Sequence, residues 1–223
     1  MPRLLCLLFL LELTLPGHAQ TKSPTPVITL PFDLVRGVMV LRNLAFNGRR
    51  GDFILDTGCT YGLLVEQAAF PGQLRPSARQ GLSAAGATPL YELPLTRFAF
   101  GEAYIWPRTA YATSLAALRA AVGPQLLGLI GTDLLRHYEV VIDYAHRRLS
   151  CYPLSSSAAR PFTRHDSVAF SLVKGWPLAV GFIDSVPVQL LLDTGARDSQ
   201  LAADFAQNLP AARAQRGRGA KPS

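Results

Sequence analysis

One stretch of this chain occurs twice, and any fold must accommodate the repetition. Phe32-Asp33-Leu34-Val35-Arg36-Gly37 returns as Phe170-Ser171-Leu172-Val173-Lys174-Gly175. Ile54-Leu55-Asp56-Thr57-Gly58 returns as Leu191-Leu192-Asp193-Thr194-Gly195. The two pairs of segments differ by one in their spacing, so a single deletion aligns the copies. Leu64 and Leu201 each lie eight residues beyond their Asp. A shared order of strand, turn, apolar strand and Asp-Thr-Gly is the signature of internal duplication.

The pattern between the copies is mostly β. Val38–Leu41 and Leu44–Phe46 read as strands flanking polar Arg42-Asn43, and Asn47-Gly48 is a hairpin signal before apolar Phe53-Ile54-Leu55. Leu90–Phe100 reads as a strand that turns at Gly101 and returns through Ala103–Trp106. Thr113 or Ser114 caps an expected helix with Leu115, Leu118 and Val122 on one side, ended by Gly123-Pro124. Leu126–Ile130 is again apolar. Glu139–Tyr144 and Leu149–Tyr152 form a last hairpin around Ala145-His146-Arg147. The expected layout is a lobe over 28–153, a linker over 154–167, and a partial second lobe over 168–209. The sequence ends at Ser223, soon after Asp193. The second lobe is therefore expected to lack a second flap and a second apolar crossing segment.

The ends read differently. Leu4–Leu15 is an apolar run behind Arg3, and Gly17-His18-Ala19 offers small residues at a cleavage site. The expectation is a signal peptide over 1–19, a polar leader over 20–27, and an exported protein without a membrane anchor, because twelve helical residues span only about 18 Å. The 223-residue chain carries +7, but Arg213, Arg216, Arg218 and Lys221 in the tail supply four of those charges, leaving +3 elsewhere. That argues for a basic disordered tail over 210–223 and against a nucleic-acid face. Cys59 and Cys151 are expected as buried free thiols. His137, His146 and His165 have no metal-ligand spacing, so neither metal nor cofactor is expected. Trp106 and Trp176 read as strand or cleft-lining aromatics. Arg50-Gly51-Asp52 matches an adhesion tripeptide by chance, and Asp133 and Asp143 read as structural.

The chemistry lies in the two Asp-Thr-Gly runs. A carboxylate that ends an apolar strand meets surroundings that favour its neutral form. Thr offers a hydroxyl to hold the loop, and Gly lets another backbone approach. If Asp56 and Asp193 meet across a pseudo-twofold axis, they share one proton. One then takes a proton from water while the other donates to a carbonyl oxygen, which hydrolyses an amide without a covalent intermediate.

These residues resemble the aspartic peptidases, specifically the retropepsin-like kind. Leu129-Ile130-Gly131-Thr132-Asp133-Leu134-Leu135 is similar to that family's apolar-apolar-Gly segment, and it follows Asp56 at the compact spacing of a retropepsin lobe rather than a larger pepsin lobe. Gly81-Leu82-Ser83-Ala84-Ala85-Gly86 stands where the family's flap would be, and Glu139–Tyr144 with Arg148-Leu149 resembles the closing hairpin of exported bacterial members. The resemblance implies a retropepsin-like acid-protease barrel, one complete lobe plus a partial second. It implies catalytic Asp56 and Asp193, loop formers Thr57, Gly58, Thr194 and Gly195, and substrate contacts from Gly81, Ser83 and Gly86. The substrate class would be extended peptides in a secreted or periplasmic setting. Two alternatives stand beside it: a homodimer using Asp56 from each chain, and a non-catalytic peptide-binding module. Cys59 departs from the family, which has Ser or Ala after Asp-Thr-Gly.

Overall fold

A computed structural model describes residues 25–83, 86–100, 108–154, 166–202 and 205. The expected signal peptide, most of the leader, residues 84–85 of the expected flap, the expected return strand at 103–106, most of the linker and the basic tail lie outside these residues. The described chain is mostly β, with one short α-helix.

The first copy of the repeat is a meander. β2 (Asp33–Val35) pairs with β3 (Val38–Phe46), which pairs with β4 (Arg49–Leu55), all antiparallel. Tight turns join them at Arg36-Gly37 and Asn47-Gly48, and all four of these residues have positive φ, as two-residue hairpins with the sheet's own twist require. The second copy repeats this form. β12 (Phe170–Val173), β13 (Trp176–Ile183) and β14 (Val186–Leu191) make a three-stranded sheet. Lys174-Gly175 turns at positive φ like Arg36-Gly37. Val173 faces Trp176 as Val35 faces Val38 in the first copy.

The first copy is built into a larger sheet. β5 (Leu63–Glu66), β6 (Arg75–Ser83), β7 (Gly86–Pro94), β8 (Thr109–Thr113) and β9 (Leu126–Ile130) join β2–β4 in the order β2-β3-β4-β9-β5-β8-β7-β6. β9 is the central strand: it runs parallel to β4 and antiparallel to β5. All five of its residues are buried, as expected of a strand with neighbours on both sides and no charge. A separate sheet of β1 (Ile28–Pro31), β11 (Arg148–Pro153) and β10 (Tyr138–Asp143) closes one side. Phe46, Phe53, Phe70, Phe98 and Phe100 pack together in the main core, with centroid separations of 5.0 to 6.2 Å, close enough for favourable edge and offset contacts.

Several expectations are corrected. The described strands close no barrel; β2 and β6 are the two ends of the eight-stranded sheet. Arg42-Asn43 does not separate two strands. It is a bulge inside β3, where Asn43 has φ 55°. Arg42 pairs there with Asp33 at 2.7 Å and Asp52 at 2.6 Å. Arg50-Gly51-Asp52 therefore lies within β4, with Asp52 buried. β7 does not run to Phe100; it ends at Pro94 and pairs with β6 and β8, with a last bond to the β8 side from the Leu95 N–H to Arg108 O at 2.8 Å. The helix α1 (Ala116–Val122) starts after Leu115, which makes no capping bond of its own, and the hydroxyl of Ser114 accepts from the Ala116 N–H at 3.4 Å. Leu115 is buried but Leu118 is exposed, so they do not share a buried face.

Candidate active site

β4 and the segment ending β14 deliver Asp56 and Asp193 to one place. The two Asp-Thr-Gly loops are locked by four reciprocal hydrogen bonds. The Thr57 hydroxyl donates to Leu192 O at 2.5 Å and accepts from the Thr194 N–H at 2.9 Å. The Thr194 hydroxyl donates to Leu55 O at 2.8 Å and accepts from the Thr57 N–H at 3.1 Å. Each hydroxyl is both donor and acceptor, so both hydroxyls and both threonine N–H groups of this half-buried crossing are satisfied.

The twofold relation extends outward. A Cβ on Gly58 would lie 2.5 Å from the Asp193 carboxylate, and one on Gly195 would lie 2.5 Å from that of Asp56. Real Cβ atoms do not approach so closely, so these glycines permit the carboxylates to meet. Gly37 abuts Arg197 and Gly175 abuts Thr60; Thr60 and Arg197 are themselves equivalent positions of the repeat.

The carboxylates are held from behind. Asp56 Oδ1 accepts from the Gly58 and Cys59 N–H groups at 2.9 and 3.0 Å. Asp193 Oδ1 accepts from the Gly195 N–H at 2.8 Å. Asp56 is hydrogen-bonded to Asp193, and its pKa rises from the ordinary 3.8 to about 6. Burial is the largest cause, followed by the Asp193 charge and the hydrogen bond between the two; the two backbone N–H groups pull the other way.

The Asp56 loop has a buttress. The Asp56 N–H donates to Ile130 O at 2.9 Å. Thr132, buried, donates to Cys59 O through both its N–H at 2.9 Å and its hydroxyl at 3.0 Å. A Cβ on Gly131 would overlap the Tyr61 carbonyl and lie 2.5 Å from that of Cys59, so only glycine lets this segment cross the loop. Cys59 is a buried free thiol, pushed up to about 12 mainly by burial and then by the Asp56 charge.

The expected flap residues lie on the β6–β7 hairpin. Gly81 is in β6 and buried against Thr88, Gly86 opens β7 at φ 109°, and Ser83 pairs with Gly86. Tyr61 ties this hairpin to the Asp56 loop, its hydroxyl donating to Gln80 O at 3.1 Å. The sequence marks Trp176 only as a strand or cleft-lining aromatic; its indole N–H donates to Gly58 O at 3.0 Å. A signal is present in the repeat, because Gly175-Trp176 occupies the slot of Gly37-Val38. No protein-family model matches this chain, and no curated protein matches it in sequence.

Proposed function

We propose that this protein is an aspartic-type endopeptidase of retropepsin-like fold, hydrolysing extended peptides with a water held between Asp56 and Asp193. The observation that carries the reading is the contact of two carboxyl groups, fixed by the reciprocal threonine bonds, one with a pKa raised to about 6. With one proton on the pair, the ionised oxygen draws a proton from water as it attacks the peptide carbonyl. The protonated partner donates to the carbonyl oxygen as it becomes tetrahedral. Collapse of that intermediate returns a proton to the leaving nitrogen. No metal or cofactor enters these steps.

Each carboxylate accepts from backbone N–H groups on the oxygen turned toward its own loop, which fixes its orientation before substrate arrives. The β6–β7 hairpin would cover the peptide, with Gly81, Ser83 and Gly86 offering backbone to an added strand. An exported, secreted or periplasmic setting follows from the N-terminal apolar run. The homodimer alternative is less favoured, because Asp193 already occupies the position opposite Asp56. The test is cleavage of a peptide library across pH 3–8 in water enriched in ¹⁸O. The expected result is one ¹⁸O atom in each new carboxyl terminus, and no cleavage by Asp56→Asn. Cleavage that survives in Asp56→Asn would overturn the reading.

A further inference from the structure

The end of β4 remote from the carboxyl pair carries a second concentration of charge. Arg49 opens β4, and Asp56 follows it by seven residues of largely extended chain, a span of roughly 23 Å. At this far end Arg49 and Arg50 border a cavity of about 660 Å³ together with Arg119 of α1. Glu66 is the one acidic residue among the described residues that line it, and Gln67 and Gln125 add side-chain amides. The volume is that of an ordinary ligand cleft, and positive charge dominates its walls.

The carboxylate present does not pair with these arginines. Glu66 is buried, and its two oxygens accept the Ala68 and Leu115 N–H groups at 2.9 and 2.8 Å. Among the described residues, Arg49, Arg50 and Arg119 make no ion pair. Each guanidinium is nonetheless tethered. That of Arg49 lies over the Phe70 ring, 5.6 Å from its centroid. Arg50 donates to Asn43 O at 3.1 Å and Arg119 to Leu126 O at 3.2 Å, each through one nitrogen. A guanidinium carries more N–H donors than one such bond uses, so every tether leaves donors for a ligand. A side chain already held also loses less freedom when a ligand arrives.

We propose that this cavity binds an acidic peptide segment, whose Asp or Glu carboxylates pair with Arg49, Arg50 and Arg119. The planar guanidinium fork matches a carboxylate bidentately. The anchors Phe70, Asn43 and Leu126 belong to three different segments, so the positive charges are dispersed along the cavity. Dispersed charges suit carboxylates spaced along a chain better than one compact anion. The Glu66 charge in the wall acts in the same direction, because it opposes a dense dianion more than a single carboxylate. The site does not depend on the catalytic reading, and binding is measured separately from cleavage.

The probe is a fluorescent peptide of alternating Glu and Ala, titrated against the full chain at pH 7 by anisotropy. The expected result is saturable binding that Arg49→Gln and Arg119→Gln each weaken roughly fivefold or more, the scale of one charge-assisted pair. Arg148→Gln removes the same charge from the separate sheet, outside the cavity, and should leave binding within about twofold of native. Arg49 is exposed, so its variant keeps the test open if Arg119→Gln does not fold. Absence of binding would overturn the proposal. So would equal binding by Arg49→Gln and Arg148→Gln, the result expected if the four cations after Pro210 alone capture the peptide. Displacement of the probe by inorganic phosphate at matched ionic strength would make the ligand a compact anion and overturn it as well.

Discussion

Replacing Asp56 by Asn should abolish cleavage while making the folded chain more stable at neutral pH. Asp56 has a folded pKa of about 6 against an ordinary 3.8. Between those values the native state holds more proton than the unfolded state, so stability falls as pH rises. The sign is that of a raised carboxyl: the contribution is fully present below 3.8 and is lost as pH climbs through 6. A pKa raised by one corresponds to about 1.4 kcal/mol, so forced ionisation costs at most roughly 3 kcal/mol above pH 7, and less where solvent reaches the pair. Asn avoids that cost, still accepts from the Gly58 and Cys59 N–H groups, and donates to Asp193. A chain of this size gains about 2–4 °C in Tm per kcal/mol, so several degrees are expected at pH 8, with roughly 12 °C as the ceiling. At pH 4 the gain should vanish, because native Asp56 is then protonated. The assay is thermal unfolding of both chains at pH 4 and pH 8. A variant-minus-native difference that is the same at both pH values, or smaller at pH 8, would refute the raised pKa of Asp56.

Three further outcomes follow from the same geometry. Thr194→Val keeps the shape but removes the donor to Leu55 O and the acceptor for the Thr57 N–H, so urea unfolding should show a loss of about 1–3 kcal/mol, with Thr194→Ser close to native. Gly131→Ala drives a Cβ into the Tyr61 and Cys59 carbonyls and should lower the urea midpoint by a comparable or larger amount, together with peptide cleavage. In a Cys6→Ser chain, Cys59 and Cys151, both pushed up to about 12, should react with maleimide at pH 8 at least about 100-fold more slowly when folded than in urea.

The candidate site is more legible in the sequence than the strands around it. Two Asp-Thr-Gly runs behind apolar strands identify the carboxyl pair, because close approach of backbones demands glycine and a loop lock demands a hydroxyl. Leu126–Ile130 reads as a buried strand for the same reason that it sits at the sheet's centre: it carries no charge. β6 is not legible. Arg75-Pro76-Ser77-Ala78-Arg79-Gln80 has no apolar alternation, and its extended form comes from pairing with β7, a tertiary effect that overrides propensity. Leu63–Glu66 is too short to separate from the loop before it, and it becomes a strand through β8 and β9. The bond from Trp176 to Gly58 O links residues 118 positions apart, a separation at which local pattern carries no information beyond the repeat.

The central claim is that Asp56 and Asp193 of one chain form a single dyad, and the most direct measurement is peptide cleavage at pH 4–5 by Asp193→Asn alongside the unaltered chain. Complete loss is expected in a variant that unfolds cooperatively, and no recovery when Asp193→Asn is mixed with Asp56→Asn. Full activity in Asp193→Asn would contradict it and assign the chemistry to Asp56 residues of two chains.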